Sequence, residues 1–99
     1  MRTVFVLATA LALAPLTASA QGTGTRNLAS TCAICHGTEG RAVTKDVVSL
    51  AGLSKDHIAT QMRAFRDGKR PATVMHQLAK GYSDEQIDQL AAWFASQKR

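Results

Sequence analysis

Apolar residues are distributed along this chain as one long run, interrupted only by Thr9 and Pro15, followed by two spaced stripes. The run extends from Val4 to Leu16 with Arg2 ahead of it, and small residues follow, ending in Ala18-Ser19-Ala20 before Gln21. A stretch this short does not span a bilayer as a stop-transfer helix, and a basic start, an apolar middle and an A-x-A end make a secretory signal peptide. The pattern therefore predicts a leader over residues 1–20, cleaved after Ala20, in preference to a retained membrane anchor. No later stretch is apolar enough to cross a membrane, so stable membrane insertion is not expected.

The two stripes have helical spacing. In SKDHIATQMRAFRDG, Ile58, Met62 and Phe65 fall at i, i+4 and i+7, which predicts a helix from about Lys55 to Asp67. Ser54 is its N-cap and Gly68 its C-cap; Met62 belongs to the core stripe, and His57, one position off it, is solvated. Further on, Ile87, Leu90, Ala91 and Phe94 repeat at i, i+3, i+4 and i+7 behind Ser83, whose S-x-x-Q spacing to Gln86 matches a capping box. Trp93 borders this stripe and is expected to pack on a first helix spanning roughly Arg26 to Ile34. No strand-like alternation intervenes, so the expected class is all-α.

Size and charge narrow the function. Of 99 residues, 12 are Lys or Arg and 7 are Asp or Glu. Without the leader, Gln21–Arg99 keeps every charge but Arg2, for a net +4. About 80 residues make a marginal core, and small exported domains usually add a disulfide or metal staple. Basic residues Arg63, Arg66, Lys69, Arg70 and Lys80 bracket the segment around residue 75; they make either a solvated face or a surface that steers an acidic redox partner. Nucleic acid is a poor partner, because the chain is exported and has no basic run interleaved with aromatics.

The chain's two cysteines fall in TCAICHG, residues 31–37. A disulfide between Cys32 and Cys35 would close a very short loop and constrain the unfolded chain little. A thioredoxin-type pair expects strand–helix alternation around it, and structural zinc needs a fourth ligand that His57 and His76 are poorly placed to supply. C-x-x-C-H is the attachment signature of c-type haem. In that reading Cys32 and Cys35 form thioethers to two vinyl groups on one macrocycle edge, His36 gives a ring nitrogen to the iron, and Gly37 lets the chain leave the crowded edge. A second axial ligand comes from Met75 or its rival His76; adjacent side chains point apart, so one of the two reaches the iron. Met75, in a loop stiffened by Pro71, is the favoured residue.

CAICHGTEG at 32–40, SLAGL at 49–53, FRDGKRPATVM at 65–75 and AKGYSDEQIDQLAAWF at 79–94 together resemble the class I cytochromes c. The resemblance is to the cytochrome c4 group and to the cytochrome subunit of flavocytochrome c sulfide dehydrogenase, and spans roughly residues 28–97. It implies a small class I fold, three main helices and loops packed around one covalently attached haem c in a monohaem domain at 21–99. By it Cys32 and Cys35 bind the haem covalently, and His36 and Met75 are the axial ligands. The chain departs from the sulfide dehydrogenase cytochrome subunit, which often carries two such domains, in having a single C-x-x-C-H, and from relatives that often have proline before LAG in carrying Val47-Val48-Ser49 there. A backbone carbonyl in this region is expected to accept the Nδ1 proton of His36.

The resemblance thus implies a periplasmic electron carrier, not an enzyme. Its partners would be a donor dehydrogenase, a flavoprotein of sulfide or other sulfur-compound oxidation among them, and an acceptor such as a terminal oxidase. The alternative is a haem enzyme subunit or gas sensor whose sixth iron position is open or displaceable.

Overall fold

The computed structural model describes residues 20–99, so the leader expected over 1–20 lies, except for Ala20, outside the described residues. The described chain is all-α: α1 Ala20–Ser30, α2 Ala33–His36, a 3-10 turn at Thr38–Gly40, α3 Lys55–Arg66, α4 Met75–Ala79 and α5 Asp84–Ala95. Helices α3 and α5, the two striped segments, pack on each other; α4 leans on α3 and α1 on α5.

Both long helices start where their caps predict. Ser54 accepts the His57 N–H at the head of α3. At α5 the capping box is complete, Ser83 Oγ accepting from the Gln86 N–H and the Gln86 side chain accepting from the Ser83 N–H. Helix α3 ends in a left-handed Gly68 (φ 71°), with Lys69 N–H returning to Ala64 O at 2.8 Å and Gly68 N–H to Phe65 O at 3.2 Å. This is a Schellman closure, which only a residue tolerant of positive φ completes without strain.

The first helix departs from expectation. It is already helical at Ala20, the first described residue, not only from near Arg26, and it stops at Ser30, with α2 as a separate turn. The break has a local cause: Ser30 Oγ donates to Asn27 O at 2.6 Å and Thr31 Oγ1 to Leu28 O at 3.0 Å, so side chains occupy carbonyls at the end of the helical ladder. The helix runs through Gly24, which has no neighbour within 4 Å of where a Cβ would stand. A glycine's propensity cost is about 1 kcal/mol, too small to veto a helix alone.

The core joins Ala29 of α1, Ile58 and Ala59 of α3, and Ile87, Leu90, Ala91 and Phe94 of α5, with Met62 packed at its margin. Trp93 also sits at that margin, edge-on to Phe94 with ring centroids 5.0 Å apart. Outside the core, Arg63 and Arg66 of α3 reach Asp84 and Asp88 of α5, the shortest contacts being Arg66–Asp84 at 2.8 Å and Arg63–Asp88 at 2.9 Å.

Candidate functional site

The cysteine–histidine segment forms one helical turn. Cys32 already has helical backbone angles, and its carbonyl accepts the N–H groups of Cys35 at 3.3 Å and His36 at 2.9 Å. Residues 32, 35 and 36 stand at i, i+3 and i+4, so the two thiols and the imidazole project from one face of that turn. Cys32 and His36 are half-buried and Cys35 is exposed; both thiols are free. Burial pushes the Cys32 thiol above its ordinary range, against weaker opposite pulls from hydrogen bonds with Thr31 and its own backbone. Thr31 in turn lies 3.2 Å from Tyr82 Oη, tying the turn to the segment between α4 and α5.

His36 is held by the loop that follows. Its Nδ1 lies 2.7 Å from the Val48 carbonyl oxygen. A carbonyl only accepts, so Nδ1 carries a proton, and in the neutral ring the lone pair is on Nε2. This is the contact expected for the Val47–Ser49 segment, made here by Val48.

Two glycines shape the loop. At Gly37 (φ 83°) a Cβ would stand 1.8 Å from the Arg41 carbonyl oxygen, so the close approach that requires glycine is to backbone within the loop. Gly40 is buried at φ 80°, where a Cβ would meet the Phe94 ring at 2.8 Å. Its carbonyl accepts both Leu50 N–H at 2.8 Å and Ala51 N–H at 3.1 Å, which fastens the returning end of the loop to its start. Between them Glu39 holds a left-handed φ of 54° and pairs with Arg41 at 2.7 Å. Arg41 also donates to Lys98 O at 2.9 Å.

Met75 does not lie in an irregular loop: it is the first residue of α4, behind Val74, whose carbonyl accepts from Gln77 and Leu78. Met75 and His76 are both half-buried, and His76 Nδ1 is fully buried without a hydrogen-bond partner. Of the residues weighed against Met75, Met62 packs on the core and His57 is exposed, as expected. The basic residues divide. Arg63 and Arg66 are neutralised by aspartates, and Arg70 stacks 4.6 Å over Phe65, whereas Lys69 and Lys80 are exposed.

The donor set fits a covalently attached haem. Two thiols and a ring nitrogen with a free lone pair share one face, and large apolar side chains stand in solvent beside them. Ile34 is 87% exposed between the cysteines, and Val48, Val74 and Leu78 are 61%, 52% and 53% exposed next to His36's acceptor and around Met75. Such apolar exposure in so small a domain marks a surface that something apolar covers. Sequence reasoning had no signal for the Thr31–Tyr82 contact or for Ser49, whose hydroxyl accepts the Ala42 N–H across the loop. Both are hydroxyl contacts between segments that no periodic pattern links.

Comparison with known proteins agrees with this chemistry. The family model described as cytochrome C oxidase, cbb3-type, subunit III matches residues 19–94. Cytochrome c-554(548) of Halomonas halodenitrificans is 38% identical over 71 residues, covering 69% of this chain and 86% of that protein. The cytochrome subunit of sulfide dehydrogenase of Chlorobaculum tepidum is 39% identical over 69 residues, 70% of this chain and 62% of the subunit. Cytochrome c4 of Pseudomonas aeruginosa is 37% identical over 70 residues, 71% of this chain but 35% of its own length. The chain thus spans most of the first relative and less than two thirds of the other two.

Proposed function

The chain belongs to the cytochrome c family of electron carriers, which bind haem c covalently, and from that membership we propose that it is a periplasmic monohaem carrier with His36 and Met75 as axial ligands. Cys32 and Cys35 hold the haem through thioethers. Residues 1–20 direct export, and the working protein is Gln21–Arg99. The observation that carries this reading is the hydrogen bond from His36 Nδ1 to Val48 O, which leaves Nε2 as a free donor on the face that bears both thiols.

The bound haem supplies a one-electron ferrous–ferric couple; the protein sets its environment. Val48 fixes the ring orientation of His36 and raises the basicity of its Nε2, the usual work of a carbonyl behind a histidine ligand. Met75 offers a thioether, which favours the ferrous state and raises the potential. The half-buried position of Met75 at the head of α4 limits the water that reaches it. With His36 and Met75 both holding the iron, no position would be open to substrate, and the haem would supply electron transfer between protein partners.

The donor we propose is a sulfur-compound dehydrogenase and the acceptor a terminal oxidase. Support for the donor is the likeness to a sulfide dehydrogenase cytochrome subunit. Exposed Lys69 and Lys80, on either side of α4, suit an acidic partner surface.

The ligand assignment is tested in the ferric protein. Met75→Ala should abolish the thioether–iron charge-transfer band, lower the potential and let carbon monoxide bind the ferrous form. His76→Ala should leave the band in place. The opposite outcome would make the iron bis-histidine and remove Met75 from the site. Rapid carbon monoxide binding by the unmodified protein would instead identify a sensor or enzyme with a displaceable ligand.

A further inference from the structure

We propose that Ser49 is a positioning residue for the axial histidine: its hydroxyl closes the 42–49 loop and thereby holds the Val48 carbonyl where His36 Nδ1 can donate to it. The inference rests on His36 being an iron ligand. Ser49 Oγ accepts the Ala42 N–H at 2.9 Å, and His36 Nδ1 donates to Val48 O at 2.7 Å. Among the described residues these are the two hydrogen bonds that involve the segment 42–49: the first joins its two ends to each other, and the second ties its C-terminal end to His36.

The segment needs such a clip. No proline stiffens it, since the chain's prolines are Pro15 and Pro71. Val43, Thr44, Lys45 and Asp46 are exposed, Val43 at 94%, so packing does not hold the tip. Downstream the chain is firm, because Leu50 and Ala51 both donate to Gly40 O. Upstream it is firm to Arg41, which is held by Glu39 and Lys98. The Ser49 hydroxyl joins the two firm ends. The Val48 carbonyl and the Ser49 nitrogen belong to one planar peptide unit, so anchoring Ser49 fixes the direction in which that oxygen points.

The consequence is electronic as well as mechanical. A well-aimed acceptor on Nδ1–H makes Nε2 more electron-rich, and a more basic ligand favours ferric iron. Loosening the loop weakens that effect and raises the potential.

The test uses the haem-loaded protein. Ser49→Ala and Ser49→Val remove the acceptor, the second while keeping bulk; Ser49→Thr keeps the hydroxyl. Ser49 is exposed, so none of the three opens a cavity. Expected for Ala and Val are an upward shift in reduction potential and exchange of the His36 ring proton about five-fold faster by NMR, the factor one lost neutral hydrogen bond supplies. The thioether band should persist, and Ser49→Thr should match the parent in both measurements. Potential and ring-proton exchange unchanged in Ala and Val would overturn the proposal, as would Thr shifting as far as Ala. Failure of the ligand assignment looks different: His36→Ala would then leave the low-spin haem spectrum intact.

Discussion

Arg66 Nη1 lies 2.8 Å from Asp84 Oδ1, joining the last turn of α3 to the first turn of α5. Arg63 shares the same carboxylate at 3.3 Å and reaches Asp88 at 2.9 Å. The cluster crosses between two helices that also meet through Ile58 and Ile87 in the core, so it fastens the outer edge of an interface whose inner face is apolar. The guanidinium of Arg66, then that of Arg63, holds the Asp84 carboxyl below the usual carboxylate range.

That shift gives a pH dependence with a definite sign. A carboxyl whose folded pKa is depressed adds stability above its unfolded value, near 3.9, and loses it as pH falls through the folded value. Asp84→Asn should therefore lower the urea midpoint of the haem-loaded protein at neutral pH and differ less from the parent as both are acidified towards about pH 3. The effect is modest because Asp84 is solvent-exposed. A gap that stays constant with pH would mean the ion pairs do not contribute.

Ile87 is 0% exposed and central to the α3–α5 contact. Ile87→Ala should cost about 2–5 kcal/mol in urea unfolding, through lost transfer energy and the cavity left behind. Half-buried Met62 should cost less on the same change.

Two glycines should respond in opposite ways to alanine. Gly37→Ala puts a Cβ where the Arg41 carbonyl already lies, so the loop must open; haem loading should fall, with increased proteolysis between residues 37 and 53. Gly24→Ala lies in α1 with open space around it and should be neutral or stabilising by up to about 1 kcal/mol. Thermal melts and haem-to-protein absorbance ratios of the two variants check both statements.

Cys32→Ala with Cys35→Ala should remove haem from the denatured polypeptide, seen as loss of peroxidase staining after electrophoresis. The chain without haem should be largely unfolded. Among the described residues the buried apolar set is more than half alanine: Ala29, Ala51, Ala59, Ala79 and Ala91 beside Ile58, Ile87, Leu90 and Phe94. Four larger side chains give little burial against the conformational entropy of about 80 residues. Circular dichroism showing a cooperatively melting apo form would contradict this.

The parts of the fold legible in the sequence are those governed by local rules. Ser54, Ser83 and Gln86 set helix starts through side chains three residues from their targets, and the stripes at 58–65 and 87–94 name most of the core. The C-x-x-C-H turn is equally local. What escaped was set by competition or distance. Ser30 and Thr31 interrupt α1 by bonding carbonyls that a continuing helix would use, and helix propensity does not register that choice. Met75 opens a short helix because Val74 O collects two N–H donors, although Pro71 nearby reads as a loop signal. A nearby carbonyl was foreseen for His36, but the Ser49 clip that steadies it joins positions seven apart with no shared periodicity.

The loop behind His36 is fastened to the core helix as well as to itself. Gly52 N–H donates to the Phe94 carbonyl at 3.0 Å, and Gly40 rests against the Phe94 ring. Fraying of the C-terminal end of α5 would therefore loosen the loop that supports His36 in the same event, so the haem spectrum should gauge the fold. Visible absorption during heating or denaturant titration should track the melting of α5 more closely than far-ultraviolet signals averaged over all helices.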